Sequence, residues 1–173
     1  MEDPFALLGA PRRYDLDLDA VEKSHRELSR ALHPDKFASA GASERREALE
    51  KAADVNEAWR ILRDPLRRAE ALFGLAGIPI AEDSHSSTIS VPPQFLMQMM
   101  ASREELADAR AAKDLAKVQK LGEQIREKWD VAELKLAAGL EKNPSSVVGV
   151  LGELRFYKRF LDEVEAIEDE ADG

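Results

Sequence analysis

Residues 17–63, DLDAVEKSHRELSRALHPDKFASAGASERREALEKAADVNEAWRILR, decide the fold. Leu18, Val21, His25, Leu28 and Leu32 recur at intervals of 3, 4, 3 and 4. That is the period of one helix face, so they form an apolar stripe that a second helix must cover. Asp17 stands where it can cap this helix. Lys23, Arg26 and Arg30 fall on the opposite side of it. A proline, a glycine and small residues interrupt the pattern across 33–42. It resumes from Ser43, a candidate cap, to about Arg63, with Leu49, Ala52, Asn56 and Trp59 on one face. Small Ala52 and Ala53 permit close approach. The expected unit is an antiparallel helical hairpin, roughly 22 to 30 Å long at about 1.5 Å per residue.

Shorter elements flank it. Asp3-Pro4 reads as an N-cap followed by an N1 proline, opening a short helix that buries Phe5, Leu7 and Leu8 and stops at Gly9 and Pro11. Asp64-Pro65 opens another, with Leu66, Ala69, Leu72 and Phe73, ended by Gly74 and Gly77. From residue 81 to 93 the chain turns serine-rich, acidic and proline-terminated without helical periodicity, which places a linker at 79–92 between domains at 1–78 and 93–173. Three helical patterns follow, at 93–112, 114–140 and 146–167. The second carries Val118, Leu121, Ile125, Trp129, Ala132 and Leu136 on one stripe, and the third Val150, Leu154, Tyr157, Leu161 and Val164. A three-helix bundle is the simplest packing, and the fold class is all-α.

Composition agrees with helices: 34% of residues are charged, 44% hydrophobic and only 6% aromatic. The absence of cysteine excludes disulfides, thiolate metal sites and cysteine nucleophiles. His25, His33 and His85 show no helical i,i+4 pairing, so neither a metal nor a cofactor is expected. The N-terminus has no basic, apolar leader and no later stretch reaches about 18 apolar residues, pointing to a soluble, cytoplasmic protein without a membrane partner. Seven acids and no Lys or Arg lie in the last twelve residues, so the net charge of −9 is largely a tail property. Nucleic acid is not an expected partner.

The turn at His33-Pro34-Asp35 joins the hairpin helices, and a stiff hairpin presents its connecting residues at a defined place. Pro34 removes a backbone donor and restricts φ to about −65°, leaving His33 and Asp35 to reach outward. A plain proline turn in which Asp35 satisfies nearby N–H groups is the bland alternative. A histidine-dependent hydrolase using His33 and Asp35 lacks any accompanying nucleophile, phosphate loop or metal cluster. A helical spacer leaves the composition of 33–37 unexplained.

The short first helix, the basic-faced second, this turn, and the Ala-rich third helix with Asn56 and Trp59 resemble a J-domain. Three further strings narrow the likeness: His33-Pro34-Asp35-Lys36-Phe37-Ala38, Leu62-Arg63-Asp64-Pro65-Leu66-Arg67-Arg68-Ala69-Glu70, and Phe95-Leu96-Met97 ahead of Arg103-Glu104-Glu105-Leu106. Together they resemble the iron–sulfur cluster assembly co-chaperones of the HscB type across nearly the whole chain. The resemblance implies a non-enzymatic helper with two partners. One is a chaperone ATPase of the seventy-kilodalton heat-shock class, docked through Lys23, Arg26 and Arg30 and stimulated through His33, Pro34 and Asp35. The other is the iron–sulfur scaffold protein.

The residues themselves supply a second surface. Phe95, Met99 and Leu106 suffice as the buried stripe of the bundle's first helix, yet Leu96, Met97 and Met100 make another that continues into Glu104 and Asp108. Phe156 and Phe160 sit off the line of the last helix, so an aromatic faces outward there. A wide core face is the alternative for all of these. The resemblance implies that Leu96, Met97, Met100, Glu104, Asp108 and Phe156 grip the scaffold. Ala101 departs from the pattern, where relatives often have an acid. A J-domain co-chaperone recruiting a different client is the rival reading. His25, on the apolar stripe, reads as a packed core histidine.

Overall fold

The computed structural model describes residues 3–80 and 91–172. Most of the expected linker, with His85, lies outside them. Every regular element among the described residues is helical. The chain divides into two compact units, Met1–Pro79 and Ile80–Gly173.

In the first unit the caps come from aspartates. Asp3 accepts from the Phe5 N–H at 2.9 Å and opens α1 (Pro4–Leu7), with Pro4 where no N–H is needed. Asp17 accepts from the Ala20 N–H at 3.0 Å and opens α2 (Leu18–Ala31). A single 3₁₀ turn, Pro34–Phe37, leads to α3 (Ala42–Arg63). Asp64 accepts from the Leu66 and Arg67 N–H groups at 2.9 and 3.0 Å and opens α4 (Pro65–Leu75). Gly74 does not stop α4; the chain reverses at Gly77, whose φ of 72° suits glycine.

Phe5, Leu8, Val21, Val55, Ala58, Ile61 and Leu62 form the core of this unit. Two expectations for α3 need correction. Gly41, not Ser43, is the N-cap residue, because the helix begins at Ala42. The buried face is Ala48, Val55, Ala58, Ile61 and Leu62, while Leu49 is 58% exposed. The reason is that α3 packs against α1 and α4 as well as α2, so three neighbours set which face is covered. His25 also differs from a packed core histidine: it is half-buried and bonded to Asn56 Oδ1 at 2.9 Å, with its ring stacked on Trp59 at 5.5 Å. A polar clasp thus joins α2 to α3.

Arg68 is the one buried charged residue among those described. Its guanidinium donates to the Leu62 carbonyl at 3.0 Å and lies 4.7 Å over the Tyr14 ring, tying α4 to the end of α3 and to the segment before α2.

The second unit is an up-down-up bundle of α5 (Pro93–Ala111), α6 (Leu115–Lys142) and α7 (Val148–Asp172). Lys113, at φ 53°, reverses the chain, and Asp114 caps α6 by accepting from the Lys117 N–H at 3.0 Å. Helices α5 and α7 run parallel: Phe95 meets Phe156 and Tyr157, Arg103 pairs with Glu163 at 3.6 Å, and Arg110 grips Glu170 with two bonds of 2.7 and 2.8 Å. The last pair lies in the acidic tail, which is helical to Asp172 rather than ending near Ile167.

A 3₁₀ turn, Pro144–Val147, joins α6 to α7 and presses on Gly139, where an added Cβ would lie 2.1 Å from Val147 Cγ1. Only glycine admits this approach. On α7, Phe160 is fully buried and Leu161 half-buried, so the expected outward aromatic is not Phe160. α7 touches both α5 and α6, which widens its buried face beyond one stripe. Burial raises the Tyr157 phenol pKa, with a smaller push from Glu153.

Candidate functional site

At the hairpin turn, His33 has extended backbone (φ −61°, ψ 133°) and Pro34 starts the 3₁₀ turn. The His33 Nδ1 accepts from the Asp35 N–H at 3.3 Å, capping the turn with its ring. A neutral ring that accepts at Nδ1 carries its proton on Nε2, which stays available as a donor. The Asp35 carboxylate lies 3.5 Å from Nδ1, an ion pair only if the ring is protonated, and the N–H contact fits the neutral ring. Both side chains face water, His33 at 58% and Asp35 at 89% exposure. The bland alternative had Asp35 capping the backbone. Here the imidazole caps instead, so the carboxylate is left to accept from outside.

On α2, Lys23, Arg26 and Arg30 line an open cleft together with Asp19, Glu22 and Glu27. The face is therefore mixed in charge. Glu22 holds Arg26 at 2.5 Å in an i,i+4 pair, with the acid toward the helix N-terminus as such pairs prefer. Lys23 and Arg30 have no ion pair among the described residues, and they carry the cationic character outward.

In the second unit the two stripes of α5 separate. Phe95, Met99 and Leu106 are buried, whereas Leu96 is exposed, Met97 is 72% exposed and Met100 65%. Glu104 and Asp108 continue the exposed row, and Ala101 leaves a gap in it without a polar group. Phe156 is half-buried, its ring edge-to-face with Phe95 at 5.7 Å. The α5/α7 seam thus brings this aromatic against Phe95, one residue from Leu96 in the chain. One participant was not foreseen: Arg159 holds its guanidinium 4.7 Å over the Phe156 ring. Its i,i+3 spacing from Phe156 was the available signal.

No group of three or more His, Asp or Glu among the described residues has the arrangement to hold a metal. No described helix is long and apolar enough to cross a membrane. What remains is one polar tip and one apolar, acid-rimmed face, both suited to binding macromolecules.

Comparison with known proteins agrees with this description. A DnaJ domain model matches residues 3–71, and a model described as the HSCB C-terminal oligomerisation domain matches 91–165. A co-chaperone protein HscB homologue from Paraburkholderia phymatum is 35% identical over 161 residues, covering 92% of this chain and 90% of that protein. The solved chaperone HscB from Vibrio cholerae superposes with a TM-score of 0.86 at 31% identity, over 97% of this chain and 98% of that one. Human co-chaperone HscB gives 0.87 at 22% identity, over 97% of this chain and 83% of that one, a likeness of fold alone.

Proposed function

The chain belongs to the HscB family of J-domain co-chaperones of iron–sulfur cluster assembly, and we propose that it works as a two-part adaptor. In this reading the hairpin unit presents His33, Pro34 and Asp35 to a heat-shock chaperone of the seventy-kilodalton class and stimulates its ATP hydrolysis. The α5 face, with Leu96, Met97, Met100, Glu104 and Asp108, together with Phe156 on α7, holds the iron–sulfur scaffold protein. The observation that carries the proposal is the exposure of both elements: the His33 side chain, Met97 and Met100 are each more than half exposed.

Mechanistically, the adaptor supplies position and not bond chemistry. Linking client to chaperone through one chain raises the client's effective concentration, into roughly the millimolar range for short connections. The hydrolytic groups belong to the chaperone. The thiolates for a cluster belong to other proteins, since this chain has no cysteine.

Lys23 and Arg30 steer the encounter with an acidic chaperone surface, while Arg26 is partly neutralised by Glu22. Raising ionic strength from about 50 to about 300 mM is expected to slow association several-fold in stopped-flow, with a smaller change in dissociation. Association rates that do not change with salt would remove these cations from the proposal.

A further inference from the structure

The face proposed for the scaffold is rimmed on α5 by Glu104 and Asp108, and on α7 it carries the guanidinium of Arg159 over the Phe156 ring. Arg159 is held from two sides: its Cζ lies 4.7 Å over the Phe156 ring and its Nε donates to the Arg155 carbonyl at 3.3 Å. Both acids within one turn after it are already engaged. Lys158 takes Asp162, and Arg103 reaches across from α5 to Glu163 at 3.6 Å. The terminal nitrogens of Arg159 therefore have no carboxylate among the described residues.

A planar fork stacked on a ring and pinned at Nε loses little further freedom when it receives a ligand. Its free N–H groups match a carboxylate, which can accept two of them. An arginine needed only to shield Phe156 from water would not require its outer edge to stay unpaired.

We propose that Arg159 is a specificity-determining residue of this face, taking a carboxylate of the bound protein beside the apolar side chain that packs on Phe156. The proposal rests on the reading of this face as the scaffold-binding surface. It makes the face polar in one direction: acids on the α5 side at Glu104 and Asp108, a cation on the α7 side. A bound segment with a basic group toward α5 and an acidic one toward α7 fits in one orientation only, and the reverse meets like charges at both ends.

The test is calorimetric binding of purified iron–sulfur scaffold protein to the full chain carrying Arg159→Met or Arg159→Glu, at low and high salt, with a thermal melt of each variant. Met keeps an unbranched stem over Phe156 and removes the charge. Arg159→Met is expected to bind about tenfold more weakly with a shallower salt dependence, and Arg159→Glu more weakly again, both with wild-type melting. Binding by Arg159→Met equal to wild type would overturn the proposal. So would equal losses in both variants with unchanged salt dependence and a lowered Tm, which would make Arg159 a packing residue. If the unmodified chain does not bind the scaffold, the reading of the face itself fails, an outcome distinct from the first two.

Discussion

Replacing His33 with Gln is expected to return the chaperone's ATPase to its basal rate while far-UV ellipticity and Tm stay near wild type. The separation of the two effects follows from the geometry. The His33 side chain is 58% exposed, and the hydrogen bond its ring makes among the described residues is the cap accepted from the Asp35 N–H at 3.3 Å. Losing such a bond costs about 1 kcal/mol. Gln keeps an acceptor and a donor, but on a flexible chain and not on the opposite nitrogens of a planar ring whose backbone the following proline holds extended. In the two-part account that orientation is the signal the chaperone reads, so truncating it removes stimulation and leaves the hairpin standing. Steady-state phosphate release and a thermal melt on the same protein decide the matter. Stimulation equal to wild type would eliminate His33 from the mechanism.

The second large effect is expected from combining Met97→Ala, Met100→Ala and Phe156→Ala. The two methionines are 72% and 65% exposed, so their truncation takes little packing from the bundle. Phe156 contributes its edge contact with Phe95 at 5.7 Å, and its loss is expected to cost the fold about 1 kcal/mol. Binding should suffer far more. Unbranched, polarizable methionines and an aromatic at the centre of an apolar patch are the side chains on which interface energy concentrates. A loss of about 3 kcal/mol, or more than a hundredfold in Kd, is expected for the scaffold protein. Unchanged affinity with a lowered Tm would mean that these residues serve the bundle alone.

How much of this was legible beforehand depended on whether the determining interaction is local. The aspartate caps at Asp3, Asp17 and Asp64 could be read directly, since the acceptor and its N–H donors lie within three residues of one another. The separation of Phe95, Met99 and Leu106 from Leu96, Met97 and Met100 was also legible, because α5 has a single buried stripe.

Faces set by several neighbours were not. Leu49 shares its stripe with Trp59 in sequence, but the face of α3 that becomes covered is chosen jointly by α1, α2 and α4. Phe156 and Phe160 looked equivalent from spacing, and only packing against both α5 and α6 hides one ring completely and leaves the other half-open. The burial of Arg68 was equally invisible, since it depends on the Leu62 carbonyl and the Tyr14 ring arriving from other segments. So was the demand for glycine at 139, which Val147 imposes across a turn.

The claim that one chain couples client capture to chaperone turnover is tested most directly by the chaperone's steady-state ATPase rate with the intact protein alone, the scaffold alone and both together. The account predicts a rate with both that exceeds the sum of the separate stimulations, because the adaptor delivers the client at high local concentration. Stimulation that is merely additive would contradict it.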